Sequence, residues 1–237
     1  MSVEPNVLDT PAAGGMIIRG GVLRLGGYVA IMALSLIPIV LLTRHLGPIG
    51  FGEYTTVISL VSVVSTVTDI GMSNLGTREF AVREGVERDV LLRDLLGLRV
   101  ALTLAGVVLA TLFAVLAGYD AALLAGTVLA SLATILLVYQ HTLSIPLAAD
   151  LRLGTLTLLD LARQALTVVA IVALVAIGAG VLPLLAVTLV VFALLVPVTA
   201  ALVRGRISLR LEFRPRSWLT LLRLTVSFSL AAAVGTI

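Results

Sequence analysis

The stretch QALTVVAIVALVAIGAGVLPLLAVTLVVFALLVPVTAALV, Gln164–Val203, holds no Asp, Glu, Lys or Arg. As one helix rising about 1.5 Å per residue it would be about 60 Å long, twice the hydrocarbon thickness of a bilayer. It therefore reads as two membrane spans, broken where Gly178, Gly180 and Pro183 interrupt the apolar run. Leu25–Thr43, Val100–Tyr119 and Ala121–Ala149 are equally free of charge. A core helix of a soluble protein keeps a polar face, and these stretches have almost none. The expected fold class is an all-α integral membrane protein.

Working outward from that stretch, six spans are expected at Val22–Thr43, Tyr54–Leu75, Leu96–Tyr119, Ala121–Gln140, Leu156–Ile177 and Val181–Val203. A seventh apolar segment begins at Trp218 and is still apolar at Ile237. The expected organisation is a disordered cytoplasmic tail over 1–15, a six-helix transmembrane lobe over 16–204, a cytoplasmic linker over 205–217, and over 218–237 the truncated first span of a second lobe. On this reading the chain is a fragment of a larger two-lobe protein. Leu23-Arg24-Leu25 and Leu222-Arg223-Leu224, near the starts of the first and seventh spans, form a faint internal echo of such a repeat.

Composition agrees. Hydrophobic residues make up 59% of the chain, charged residues 12%, and mean hydropathy is +1.17; a soluble domain carries roughly 25% charged residues. Cysteine is absent, which excludes disulfides and thiolate metal sites. His45 and His141 are too far apart in sequence to form a metal motif, so neither a metal nor a cofactor is expected. All 16 basic residues are arginine, and without lysine no P-loop can form. The tail Met1–Gly15 carries Glu4 and Asp9 and no basic residue, unlike a secretory signal.

Arginines alternate between the connections. Arg19 and Arg24 lead into the first span, Arg78, Arg83, Arg88, Arg93 and Arg99 lie between or at the edges of the second and third, Arg152 precedes the fifth, and Arg204, Arg206, Arg210, Arg214 and Arg216 follow the sixth. The opposite connections hold only Arg44. The positive-inside rule places the N-terminus and the arginine-rich connections in the cytoplasm and makes nucleic acid an unneeded explanation of the positive charge. Within Thr77–Arg99, Glu79–Arg83, Glu84–Arg88 and Asp89–Arg93 are acid-before-base pairs at i,i+4, which reads as a solvated helical connector at the lipid surface.

The first outer connection reads Thr43-Arg44-His45-Leu46-Gly47-Pro48-Ile49-Gly50-Phe51-Gly52-Glu53-Tyr54. Gly47-Pro48 starts a tight turn, Gly50 and Gly52 allow unusual backbone angles, and Tyr54 sits where an interfacial aromatic anchor belongs. The pattern Leu46-Gly47-Pro48 followed by Phe51-Gly52-Glu53-Tyr54 resembles the first loop of the oligosaccharide flippases. These polysaccharide-biosynthesis membrane proteins share a superfamily with the multidrug extruders and the lipid II flippase. Asp69-Ile70-Gly71, Thr77-Arg78-Glu79 and Phe213–Trp218 also look like that family. The resemblance implies a two-lobe protein that moves a polyprenyl-diphosphate-linked oligosaccharide across the cytoplasmic membrane for surface polysaccharide biosynthesis. Its implied partners are the lipid-linked oligosaccharide, membrane lipids, and a polysaccharide polymerase or glycosyltransferases. No covalent chemistry is implied, and energy would come from ion gradients or downstream consumption of the lipid.

Charges inside spans are costly, about 2.5–3.5 kcal/mol each at the bilayer centre on insertion scales, so they need a reason. Arg24 opens the first span, Asp69 lies near the cytoplasmic end of the second, and Asp160 and Arg163 share one face of the fifth. These four are the candidate substrate-binding residues: a polar entrance where guanidinium groups meet an anionic headgroup through bidentate hydrogen bonds. In the lipid II flippase branch, cavity arginines hold the lipid diphosphate, and Arg24 is in a comparable place. The plainer roles are a helix–helix ion pair for Asp160 and Arg163, interfacial snorkelling for Arg24, and an interhelical hydrogen bond for Gln140. Pro38 and Pro197 fall inside spans and bend them. The rival functions are efflux of drug-like cations by a related extruder, a non-transporting membrane assembly protein, and an envelope glycosyl- or acyltransferase. The last requires catalytic groups in a sizeable outer loop, where only Glu53 and Asp120 are available.

Overall fold

The computed structural model describes residues 11–69 and 71–204 together with Trp218, Leu221 and Thr225, with side chains from Leu25 onward. The expected linker at 205–217 and most of the expected seventh span therefore lie outside the described residues, as do residues 1–10 of the tail. The described elements are all helical: α1 (Pro11–Asp69), α2 (Met72–Val82), α3 (Val86–Leu116), α4 (Ala121–Ala149), α5 (Leu153–Ala176) and α6 (Val181–Val203). Five of them are long and apolar enough to cross a membrane.

The first two expected spans fall within one element, α1, of 59 residues. Its helical backbone breaks at Gly47, with φ 66° and ψ −177°, a region essentially reserved for glycine. Pro48 follows at once. Glycine just past a helix end and proline just inside the next start is the usual asymmetry of helix boundaries. Gly50 and Gly52 remain helical, so the outer connection is a break at one residue, not the longer turn its glycines suggest.

The two arms of α1 run in opposite directions along the bundle. In the first arm, Gly27 lies against Thr157 near the start of α5, while the His45 Nε2–H donates to the Ala179 carbonyl just past the end of α5 (2.8 Å). The first arm thus follows α5. In the second arm, Tyr54, Val57 and Val61 pack with Leu123, Ala130, Val181 and Leu185 in the early turns of α4 and α6. Asp69, at the far end of that arm, shares a cavity with His141 in the later part of α4. The second arm thus follows α4 and α6.

Helix α4 is central, packing on α6, α3, α1, α2 and α5. Close approach depends on small residues: a Cβ on Gly106 would lie 2.5 Å from Val64 Cγ1, and one on Gly126 would lie 2.6 Å from Leu185 Cδ1. Lipid supplies no hydrophobic drive between helices, so such contacts and buried hydroxyls carry the packing. Thr103, Thr127, Thr134, Thr142 and Thr199 are buried, each hydroxyl donating to the carbonyl four residues back. Leu25, Met32, Leu109, Phe113 and Val169 are exposed, as expected of a surface whose solvent is hydrocarbon.

The segment Thr77–Arg99 departs from the expected solvated connector. α2 ends at Val82 and α3 starts at Val86, with Gly85 at φ 53°. Leu91, Leu92, Leu95 and Leu98 are buried with Met72, Phe80 and Ile145, and Trp218 and Leu221 join this cluster. Its apolar face therefore closes one end of the bundle. Of the expected pairs, Glu79–Arg83 forms at 3.0 Å. Glu84–Arg88 straddles the break at 83–85, so its members do not share a helix face; Arg88 Nε donates to the Arg83 carbonyl and its guanidinium lies 5.0 Å from the Phe80 ring centre. Arg93 Nε donates to the Asp89 carbonyl.

Candidate functional site: a polar cleft between the helices

Asp69 is the last residue of α1. Gly71, with φ 70°, reverses the chain into α2, and this places Ser73 one turn from Asp69. Ser73 Oγ donates to Asp69 Oδ1 at 2.8 Å. Arg99 enters from α3. Its Nη2 donates to Asp69 Oδ1 and to Ser73 Oγ, the latter at 3.1 Å. The pair is unequally buried: the Arg99 side chain is 0% exposed and that of Asp69 is 40% exposed. The Arg99 Nε and Nη1 groups are buried without a hydrogen-bond partner among the described residues. A buried donor left unpaired costs about 1–3 kcal/mol, so this guanidinium has unused bonding capacity.

The sequence alone places Arg99 only among the arginines at span edges. The available signal was position: it follows Leu95–Leu98 and directly precedes the uncharged Val100–Tyr119. An arginine at the mouth of an apolar run either snorkels outward or turns inward to a counter-ion. Only packing decides between these, and here Arg99 is buried in the interior along with Leu95, Leu98 and Thr103 of the same helix.

A second acid–base pair lies on α5. Asp160 Oδ1 and Arg163 Nε are 3.9 Å apart, at side-chain exposures of 57% and 33%. This is a loose, solvent-open pair, of the sort worth about 0–1 kcal/mol. Both residues line a cavity of about 210 Å³ with Ser73, Gln140, His141 and Ser144. A neighbouring cavity of about 330 Å³ is lined by Ser65, Thr66, Asp69, Arg99 and His141. His141 belongs to both, so the two ion pairs flank it. Ser65 and Leu137 in turn connect the second cavity to a third of about 240 Å³, which holds Tyr54, Ser62, Thr134 and Thr188. The three cavities adjoin through these shared lining residues along the second arm of α1 and the face of α4, and this row of cavities is the cleft referred to below. Its end near α2 and α5 is charged, and its other end carries scattered hydroxyls among apolar residues such as Ile58, Val61, Leu137 and Phe192. A further cavity of about 430 Å³ between α1 and α3 is lined by Val63, Val67, Leu102 and Phe113 among others; it is apolar and shares no lining residue with the cleft.

Of the four candidate residues, Asp69, Asp160 and Arg163 line this cleft. Arg24 lies in the part of α1 whose side chains are outside the described residues. Gln140 serves both of its readings: its Nε2 donates to Thr199 Oγ1 on α6 at 3.3 Å, and the side chain borders the charged cavity. The cleft can accept a solute with an anionic end and a neutral, hydroxyl-bearing part.

A family model described as "Polysaccharide biosynthesis protein" matches residues 17–237. No curated protein matches the chain, and no solved structure does.

Proposed function

The chain belongs to the polysaccharide biosynthesis protein family, and on that premise we propose that it takes part in flipping a polyprenyl-diphosphate-linked oligosaccharide across the cytoplasmic membrane for surface polysaccharide assembly. The observation that carries this reading is the cleft. Arg99 and Arg163 stand at one end, where a diphosphate requires guanidinium groups, and Tyr54, Ser62, Thr134 and Thr188 offer hydroxyls among apolar residues further along, where a glycan requires hydrogen-bond partners. The ligand is moved without covalent change, so the protein is not an enzyme. The break at Gly47 and the opposite courses of the two arms support reading α1 as two passes, which gives six over the described residues. The N-terminus and the arginine-rich connections then face the cytoplasm, and the headgroup is loaded from that side. Enzymes that build or polymerise the glycan are the natural partners.

The test is transport in vesicles. The protein, produced together with the second lobe that the sequence leads one to expect, is reconstituted with a fluorescent polyprenyl-diphosphate oligosaccharide, and label reaching the outer leaflet is followed by an impermeant quencher. Movement above protein-free vesicles is expected, with Arg163→Gln slower by about tenfold for the loss of one charge-assisted contact, about 1.4 kcal/mol. No movement of the lipid, or movement of a drug-like cation in its place, overturns the reading.

A further inference from the structure

We propose that Arg99 is an anion receptor in the cleft and that Asp69 is its exchangeable counter-ion, displaced when a phosphate or diphosphate ester enters. This rests on reading the cleft as the path of a diphosphate-bearing lipid. It adds which residue receives the phosphoryl group and which carboxylate occupies that residue beforehand.

Three observations carry it. First, the guanidinium is fully buried while its carboxylate partner is 40% exposed. Both residues line the same cavity, and Asp69 is the member of the pair that water in the cavity can solvate once it is released. Second, the pairing is incomplete. The Asp69 contact engages Nη2, and Nε and Nη1 have no partner among the described residues. A phosphoryl group carries three acceptor oxygens and more charge than a carboxylate, so it satisfies donors that Asp69 leaves open. Third, the setting suits charge exchange. His141 joins the Arg99 cavity to the one holding Asp160 and Arg163, whose 3.9 Å separation leaves the second guanidinium only loosely held. A neutral glycan cannot make this exchange, because it would strand a buried cation without a counter-charge. Asp69 thereby makes entry selective for anions. Ser73, bonded to both partners, keeps the carboxylate in register with the guanidinium.

If the pair is instead only a clamp between α1 and α3, removing Asp69 should weaken the site. The two roles predict opposite signs. Binding of inorganic pyrophosphate to the purified full chain in detergent is measured by calorimetry. Asp69→Asn is expected to tighten it by about tenfold by removing the internal competitor, and Arg99→Gln to abolish it. Unchanged or weaker binding by Asp69→Asn overturns the proposal. A wild-type measurement stands beside it in case that variant does not fold: carbodiimide labelling of Asp69, read by mass spectrometry, should rise on saturation with pyrophosphate as the carboxylate is released. Constant labelling also overturns the proposal. Geranyl diphosphate should compete with pyrophosphate and geraniol should not; competition by geraniol, or none by the diphosphate, counts against a lipid ester at Arg99. The vesicle assay separates the two readings. Tightening by Asp69→Asn without lipid movement leaves the receptor standing and removes flipping, whereas lipid movement without tightening does the reverse.

Discussion

At the scale of single residues, the unequal burial of Asp69 and Arg99 makes their contributions to stability unequal. Removing the carboxylate leaves a buried cation with no counter-charge, which costs about 3–5 kcal/mol. Removing the cation leaves Asp69 on the cleft wall, where water can solvate it. Arg99→Met, which keeps most of the volume, is therefore expected to unfold at a higher temperature than Asp69→Asn. The check is thermal unfolding in detergent followed by size-exclusion fluorescence; equal midpoints would mean that the burial difference has no energetic consequence. Asp69, Asp160 and Arg163 were identifiable beforehand because a charge inside an uncharged run stands out. Arg99 was not, because an arginine at a run's edge looks the same in sequence whether it snorkels or turns inward.

At the scale of elements, the break in α1 rests on one residue. Gly47 adopts φ 66° and ψ −177°, and a side chain in that region costs about 1–3 kcal/mol. Gly52 is helical with open space where a Cβ would sit, and alanine there gains up to about 1 kcal/mol of helix propensity. Gly47→Ala should lower the unfolding midpoint and Gly52→Ala should hold or raise it. A drop for Gly52→Ala as large as that for Gly47→Ala would show that the connection needs freedom at both sites. The sequence marks the turn by Gly47-Pro48 but also suggests special angles at Gly50 and Gly52. Glycine permits a left-handed backbone without requiring it, and only the packing of Leu46, Phe51 and Tyr54 with Leu42, Ile171 and Leu184 selects which glycine breaks.

At the scale of the whole molecule, the described arginines gather at one end of the bundle. Arg78, Arg83, Arg88, Arg93, Arg152 and Arg204 lie at the α2–α3, α4–α5 and post-α6 connections, and Arg44 alone lies at the other end. The positive-inside rule then predicts the orientation. Because the chain contains no cysteine, single cysteines report cleanly. Ala117→Cys, after α3, should react with an impermeant maleimide in intact cells, and Glu84→Cys, before α3, should react only after permeabilisation. Labelling of Glu84→Cys in intact cells would invert the orientation.

What the sequence determined by itself follows from lengths and local chemistry. Uncharged runs as long as a bilayer is thick can satisfy their backbone only as helices, and arginine asymmetry, the Gly47-Pro48 break and stranded intramembrane charges are equally local properties. The tertiary structure decided what depends on which helix faces meet. It buried Leu91, Leu95 and Leu98 of an apparently solvated connector against Met72 and Phe80. It also brought Asp69 to Arg99, thirty positions away, and set His141 between two ion pairs from different helices. Such juxtapositions leave no periodic trace in the chain, because a buried pair satisfies its charges across space and not along the sequence.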